Sequence, residues 1–211
     1  MIKRLLSIII FTAFVMGQEA EDQFRMVGEV VVIPGDTTKD PGLKIGDIAP
    51  SWALMSAPGK FEFLKNWTEE KGKKLRKPTT QPDRHVVLLS FFATWRKPCM
   101  KELPHLQNLY EKYKNEKIKF FLIDITEATR TVKGLEDSPK AGPFLLNKGI
   151  TMPILYDSRG IAKERYGAKT LPRLYVVDKY RTIQLGKTGF DADEDLEGEL
   201  AAVIDHLLAE E

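Results

Sequence analysis

Cys99 is the only cysteine in the 211 residues, and it closes the run Trp95-Arg96-Lys97-Pro98-Cys99, with Glu102 three positions further on. Thiol chemistry runs through the thiolate, and an exchange between two bonded forms needs a second thiol. A single cysteine makes no internal bridge, so Cys99 is either a buried, inert thiol or one that pairs with another molecule. Arg96, three residues earlier, favours the thiolate as a cation but stays protonated and offers no nucleophilic lone pair. At the start of a helix its charge meets the unfavourable end of the dipole, which points to an anion-binding or partner-contacting arginine, or to drift. His85, His105 and His206 fall at a strand start, on a helix face and in the terminal helix. They have no partners at ligand spacing, so no metal site and no cofactor is expected.

Groups of this kind act only when rigid elements aim them. The near-continuous apolar run His85-Val86-Val87-Leu88-Leu89-Ser90-Phe91-Phe92 predicts a central strand covered on both faces. A helix follows directly, with Met100, Leu103, Leu106, Leu109, Tyr110 and Tyr113 at helical spacing and Pro104 expected to kink it. Strands are expected at 120–123 and 154–156, a short inserted helix at 139–148 and another helix at 158–166. Residues 173–177 and 182–187 read as a hairpin. Residues 192–208 read as a closing helix that turns Leu196, Leu200, Val203, Ile204 and Leu207 inward. Strands alternating with helices, then a hairpin and a helix, predict an α/β fold with a mixed sheet.

The chain is long enough for one domain with a sizeable core, and 43% hydrophobic with 29% charged residues is an ordinary globular balance. Lys3 and Arg4, an apolar run over 5–16 and then Gly17 follow the order of a secretory signal, so residues 1–17 are expected to direct export. An uncleaved N-terminal anchor is the alternative, and membrane contact is expected only in that case. Removing 1–17 takes away two bases and no acid, which leaves a neutral chain and argues against a nucleic-acid binder. Export places the chain in a disulfide-permitting compartment, periplasmic or otherwise extracytoplasmic. Residues 18–43 hold the β-branched run Val30-Val31-Val32-Ile33 and read as a β extension. The basic stretch 60–84 reads as a solvated helix and loop with Phe63 and Trp67 tucked inward, or as a docking surface for an acidic partner.

With strand, loop and helix in that order, the chain resembles the extracytoplasmic TlpA-like branch of the thioredoxin superfamily, whose members are thiol-disulfide oxidoreductases. The resemblance covers about 44–208. Its most specific part is Phe91-Phe92-Ala93-Thr94-Trp95-Arg96-Lys97-Pro98-Cys99-Met100-Lys101-Glu102-Leu103-Pro104, and a second match is Thr170-Leu171-Pro172. It implies a thioredoxin-like domain over 44–211: a central mixed sheet flanked by helices, with an N-terminal β extension and an inserted helix. It further implies that Arg96 stands at the attacking-cysteine position and Cys99 at the shielded, resolving one. Glu102 matches an acid that helps move protons, although a solvated helix glutamate is an equal reading. Pro172 matches a cis-proline beside the loop, and Trp95, Pro98, Leu171 and Pro172 shape a binding groove. Ser90 occupies the position where thioredoxins proper keep a buried aspartate. The implied partners are protein thiols or an extended segment of an exported protein.

Three functions then compete: monothiol redox work through Cys99, a non-catalytic module that binds a partner's segment by backbone pairing, or an active enzyme altered by one substitution at Arg96. A peroxidase reading fails, because Arg96 lies where a peroxidatic loop wants threonine three residues before its cysteine.

Overall fold

The computed structural model describes residues 25–27, 30–32, 42–77 and 83–210. The expected signal over 1–17 lies outside them. Among the described residues no helix is long and apolar enough to cross a membrane.

The sheet is built around β5 (Val86–Phe92), every residue of which is buried. An all-apolar strand with one serine tolerates cover on both faces, and it receives it. β6 (Ile118–Asp124) pairs with β5 in parallel, and β7 (Ile154–Tyr156) pairs with β6 in parallel. β8 (Arg173–Val177) runs antiparallel on the other side of β5, and β9 (Ile183–Thr188) completes the hairpin with β8. Beyond β7 the sheet ends in an antiparallel hairpin of β3 (Ala53–Ala57) and β4 (Lys60–Phe63), which gives the order β4-β3-β7-β6-β5-β8-β9. A separate pair, β1 (Arg25–Val27) with β2 (Val30–Val32), forms within the N-terminal extension.

Alternation along β5 decides what each face meets. The Ser90 side chain reaches α1 (Lys97–Tyr113) on one face, where Leu88 and Phe92 also point. Phe91 points the other way, into Tyr166 and Tyr175, with ring centroids 5.2 and 6.5 Å away. The remaining helices are α2 (Ala141–Leu146), α3 (Ile161–Arg165) and α4 (Leu196–Ala209). The five residues expected to face inward on α4 are all buried there. Asp195 caps that helix by accepting from the Gly198 amide at 2.9 Å, which satisfies one of its orphan donors.

One expectation is corrected. Residues 60–84 do not form a helix: 60–63 are the edge strand β4, a single 3-10 turn covers Leu64–Asn66, and the described remainder is irregular. Phe63 and Trp67, four apart, mimic a helical stripe, yet one ends a strand and the other follows the turn. α1 runs 17 residues through Pro104, which does not end the helix. Leu88 and Leu106 are fully buried on facing elements. Replacing either by alanine is expected to cost about 2 to 5 kcal/mol in denaturant unfolding, and a loss under about 0.5 kcal/mol would contradict its place in the core.

Candidate functional site

The loop between β5 and α1 carries the residues singled out by spacing. Arg96 has extended backbone (φ −90°, ψ 105°) and occupies the N-cap of α1 without a side-chain cap bond, and Pro98 lies in the first turn, where its missing N–H costs nothing. The Cys99 amide donates to the Arg96 carbonyl at 3.0 Å, which closes a tight turn and holds positions 96 and 99 together. Threonines pin the loop from below. The Thr94 amide donates to Thr126 Oγ1 at 3.1 Å, Thr94 Oγ1 donates to the Pro139 carbonyl at 2.8 Å, and Trp95 Nε1 donates to Thr129 Oγ1 at 2.9 Å.

Arg96 and Leu171, 75 positions apart, meet here. Arg96 Nε donates to the Leu171 carbonyl at 3.2 Å, and the Leu171–Pro172 peptide that follows is cis. The guanidinium is solvent-exposed, while Leu171 and Pro172 are buried. Trp95, Arg96 and Leu171 line a groove of about 330 Å³ together with Ile125, Val132, Leu135, Lys163 and Lys169. No carboxylate among the described residues lines it.

Cys99 lies behind the loop and is 0% exposed. Burial pushes its thiol up to about 12, and the neighbouring Glu102 adds to the rise. A backbone hydrogen bond from Ala93 and the Arg96 cation pull the other way and lose. Glu102 is buried too, at 1% exposure, so the alternative of a solvated helix glutamate is corrected. Burial pushes its carboxyl up to about 8, against the opposing pull of the Ser90 hydroxyl, which donates to Glu102 Oε2 at 2.8 Å, and of Lys187. At neutral pH it is mostly a neutral acid, hydrogen-bonded and dry. Ser90 is therefore the polar partner of Glu102.

The structure thus gathers Trp95, Arg96 and Leu171 at a surface groove and sets Cys99 and Glu102 in a dry layer beneath it. Spacing alone missed Thr126, Thr129 and the groove lysines, which reach the site from separate elements. It also missed Asp124, whose carboxyl at the end of β6 is raised by burial while accepting from the Thr126 hydroxyl and amide. Among the described residues no group of His, Cys, Asp and Glu is arranged to hold a metal.

A central mixed sheet, a helix opening at a W-x-x-P-C loop and a cis-proline packed against that loop define a thioredoxin-like protein. A family model described as the AhpC/TSA family matches residues 45–185. The thiol-disulfide oxidoreductase ResA of Bacillus thuringiensis subsp. konkukian is 30% identical over 145 residues, 69% of this chain and 70% of that protein. The thioredoxin-like protein YneN of Bacillus subtilis is 29% identical over 162 residues, 77% of this chain and 82% of YneN. Among solved structures, an uncharacterized conserved protein from Geobacillus kaustophilus superposes with TM-score 0.58 at 20% identity, covering 78% of this chain and 82% of that one. An uncharacterized thioredoxin-like protein from Porphyromonas gingivalis gives TM-score 0.51 at 23% identity, covering 75% and 90%. The chain belongs to the AhpC/TSA family and, within it, to the TlpA-like thiol-disulfide oxidoreductases of the thioredoxin superfamily.

Proposed function

We propose that this chain is an exported thioredoxin-fold binding module that has given up dithiol exchange and keeps the groove beside Leu171 and Pro172 for an extended segment of a partner protein. The observation that carries this reading is the depth of Cys99: the one thiol is fully buried, its ionisation is opposed by burial, and the exposed position three residues before it is filled by a cation bonded to the Leu171 carbonyl. A monothiol role needs a reachable thiolate, and burial outweighs the pull of Arg96 and the Ala93 backbone toward one. Export rests on residues 1–17, with an uncleaved anchor as the membrane-bound variant of the same reading. Pro98 and Pro172 then serve as shape, Arg96 and Trp95 as contact surface, and Glu102 as a buried polar pin for Ser90.

The test is alkylation of Cys99 by iodoacetamide in native and unfolded protein at pH 8. A thiol near 12 is about a thousandfold less ionised at that pH than one at its ordinary value of 9.0, before any loss of access is counted. Native protein is therefore expected to react at least about a hundredfold more slowly than unfolded protein. Cys99→Ser should leave partner binding unchanged. Rapid native alkylation with an apparent pKa near about 7 would overturn the reading in favour of monothiol chemistry.

A further inference from the structure

Three cations meet at the groove: Arg96 from the N-cap of α1, Lys163 from α3 and Lys169 from the segment leading to the cis-proline. Only one nitrogen of the Arg96 guanidinium is engaged, by the Leu171 carbonyl, and neither nitrogen at the far end of the fork has a protein hydrogen-bond partner among the described residues. Neither lysine ammonium forms an ion pair there either, although Lys187, Lys65 and Arg181 each sit on carboxylates elsewhere. Like charges gathered around a concavity that holds no acid raise the local potential, and that potential selects an anion. The geometry of a planar guanidinium fork matches a carboxylate in particular.

The apolar wall decides the kind of anion. Leu135 and Val132 are apolar and line the groove, and Val132 is 53% exposed, a large value for such a side chain beside a site. A bare phosphate or acetate would satisfy the cations and leave this wall wet. A polypeptide that alternates acidic and apolar side chains covers both, since successive side chains of an extended strand point to opposite sides.

We propose that the groove takes an extended acidic-apolar peptide segment, with carboxylates on Arg96, Lys163 and Lys169 and apolar side chains on Val132 and Leu135. The proposal rests on the reading of the chain as a partner-binding module and adds the chemistry of the partner. On it, Arg96 is a recognition residue that replaces a reactive group by a charge.

The test is fluorescence anisotropy of the full chain with a labelled peptide alternating leucine and glutamate, beside the same peptide with glutamine for glutamate. Two or three solvent-screened ion pairs correspond to about tenfold in affinity, so the glutamate peptide is expected to bind about tenfold more tightly at low salt. The difference should shrink toward nothing near 1 M salt, where the screening length is about 3 Å. Lys163→Glu with Lys169→Glu should remove the preference, and Arg96→Gln should reduce it. The thermal midpoint of the double lysine variant should stay unchanged, because Lys163 and Lys169 hold no ion pair among the described residues. Equal binding of both peptides would overturn the acidic assignment and leave the groove reading standing. Binding of neither peptide, with Cys99 still protected from alkylation, would overturn this proposal alone. Displacement of the peptide by inorganic phosphate or acetate at concentrations comparable to the peptide's own would mark a small-anion site and overturn it as well.

Discussion

Arg96→Cys is expected to turn this chain into a working dithiol reductase. The backbone bond from the Cys99 amide to the Arg96 carbonyl makes 96 and 99 the ends of a tight turn, and the ends of such a turn lie within about 7 Å between Cα atoms. A disulfide needs about 4.4 to 6.8 Å, so the loop already has the right size. The new thiol would sit exposed at the N-cap of a 17-residue helix, where the dipole lowers a thiol from about 8.5 toward 7. That change takes the ionised fraction at neutral pH from a few per cent to about half, roughly a tenfold gain in attacking species. Attack on a substrate disulfide would place one sulfur in a mixed disulfide; Cys99 would then displace the substrate thiol and leave an internal bridge, the two electrons having passed to the substrate. The protein emerges oxidised and needs an added dithiol to turn over. Insulin reduction with dithiothreitol should be measurable in the variant and at background in the parent, and the oxidised variant should lose two hydrogens in mass. Comparable activity in the parent would end the claim that dithiol exchange is lost.

Glu102 is expected to set the alkaline limit of stability. Its carboxyl is held at about 8 in the folded chain against an ordinary 4.5, because burial penalises the charge. An acid raised on folding binds its proton more tightly in the native state, so its contribution is whole below about 4.5 and drains away as pH rises through 8. The slope between those values approaches about 1.4 kcal/mol per pH unit for one proton, a total of a few kcal/mol. Cys99 acts in the same direction only above its ordinary 9.0, so the two windows separate. Urea unfolding from pH 5 to pH 8 should therefore show a falling parent stability and a flatter line for Glu102→Gln, which keeps an oxygen for the Ser90 hydroxyl and cannot ionise. Parallel lines for the two proteins would show that Glu102 titrates as an exposed acid.

The parts legible in sequence were those where periodicity and burial agree. β5 is apolar at nearly every position because both its faces are covered, the inward stripe of α4 is buried throughout, and that of α1 is buried at Leu103, Leu106, Leu109 and Tyr113 with Met100 and Tyr110 half-buried at its margin. The β3–β4 hairpin escaped notice because it is short and lies at the sheet edge. Phe63 and Trp67 imitated a helix there, although Pro58-Gly59 marked the turn and Gly59 takes φ +71° in it. Burial of Glu102 was legible in principle, since it lies next to Leu103 and one turn from Cys99 and Leu106, all on the buried stripe of α1. A glutamate read by type alone goes to solvent, and only the buried partner Ser90 makes the inward position tolerable. The cationic rim was not legible at all: Lys163 and Lys169 reach Arg96 through tertiary return of the chain, and no local spacing encodes that.

A chain whose single thiol is sealed in its core cannot switch between a dithiol and a disulfide form. A dithiol protein has both, and the redox poise around it chooses between them, so its affinity for a partner rises and falls with the supply of oxidant or reductant. Here the groove and the loop that frames it are deaf to that poise. Whatever sits against Arg96 does so according to its own concentration and the ionic strength, equally in oxidising and reducing surroundings, and it is released by dilution or salt with no bond left to cleave.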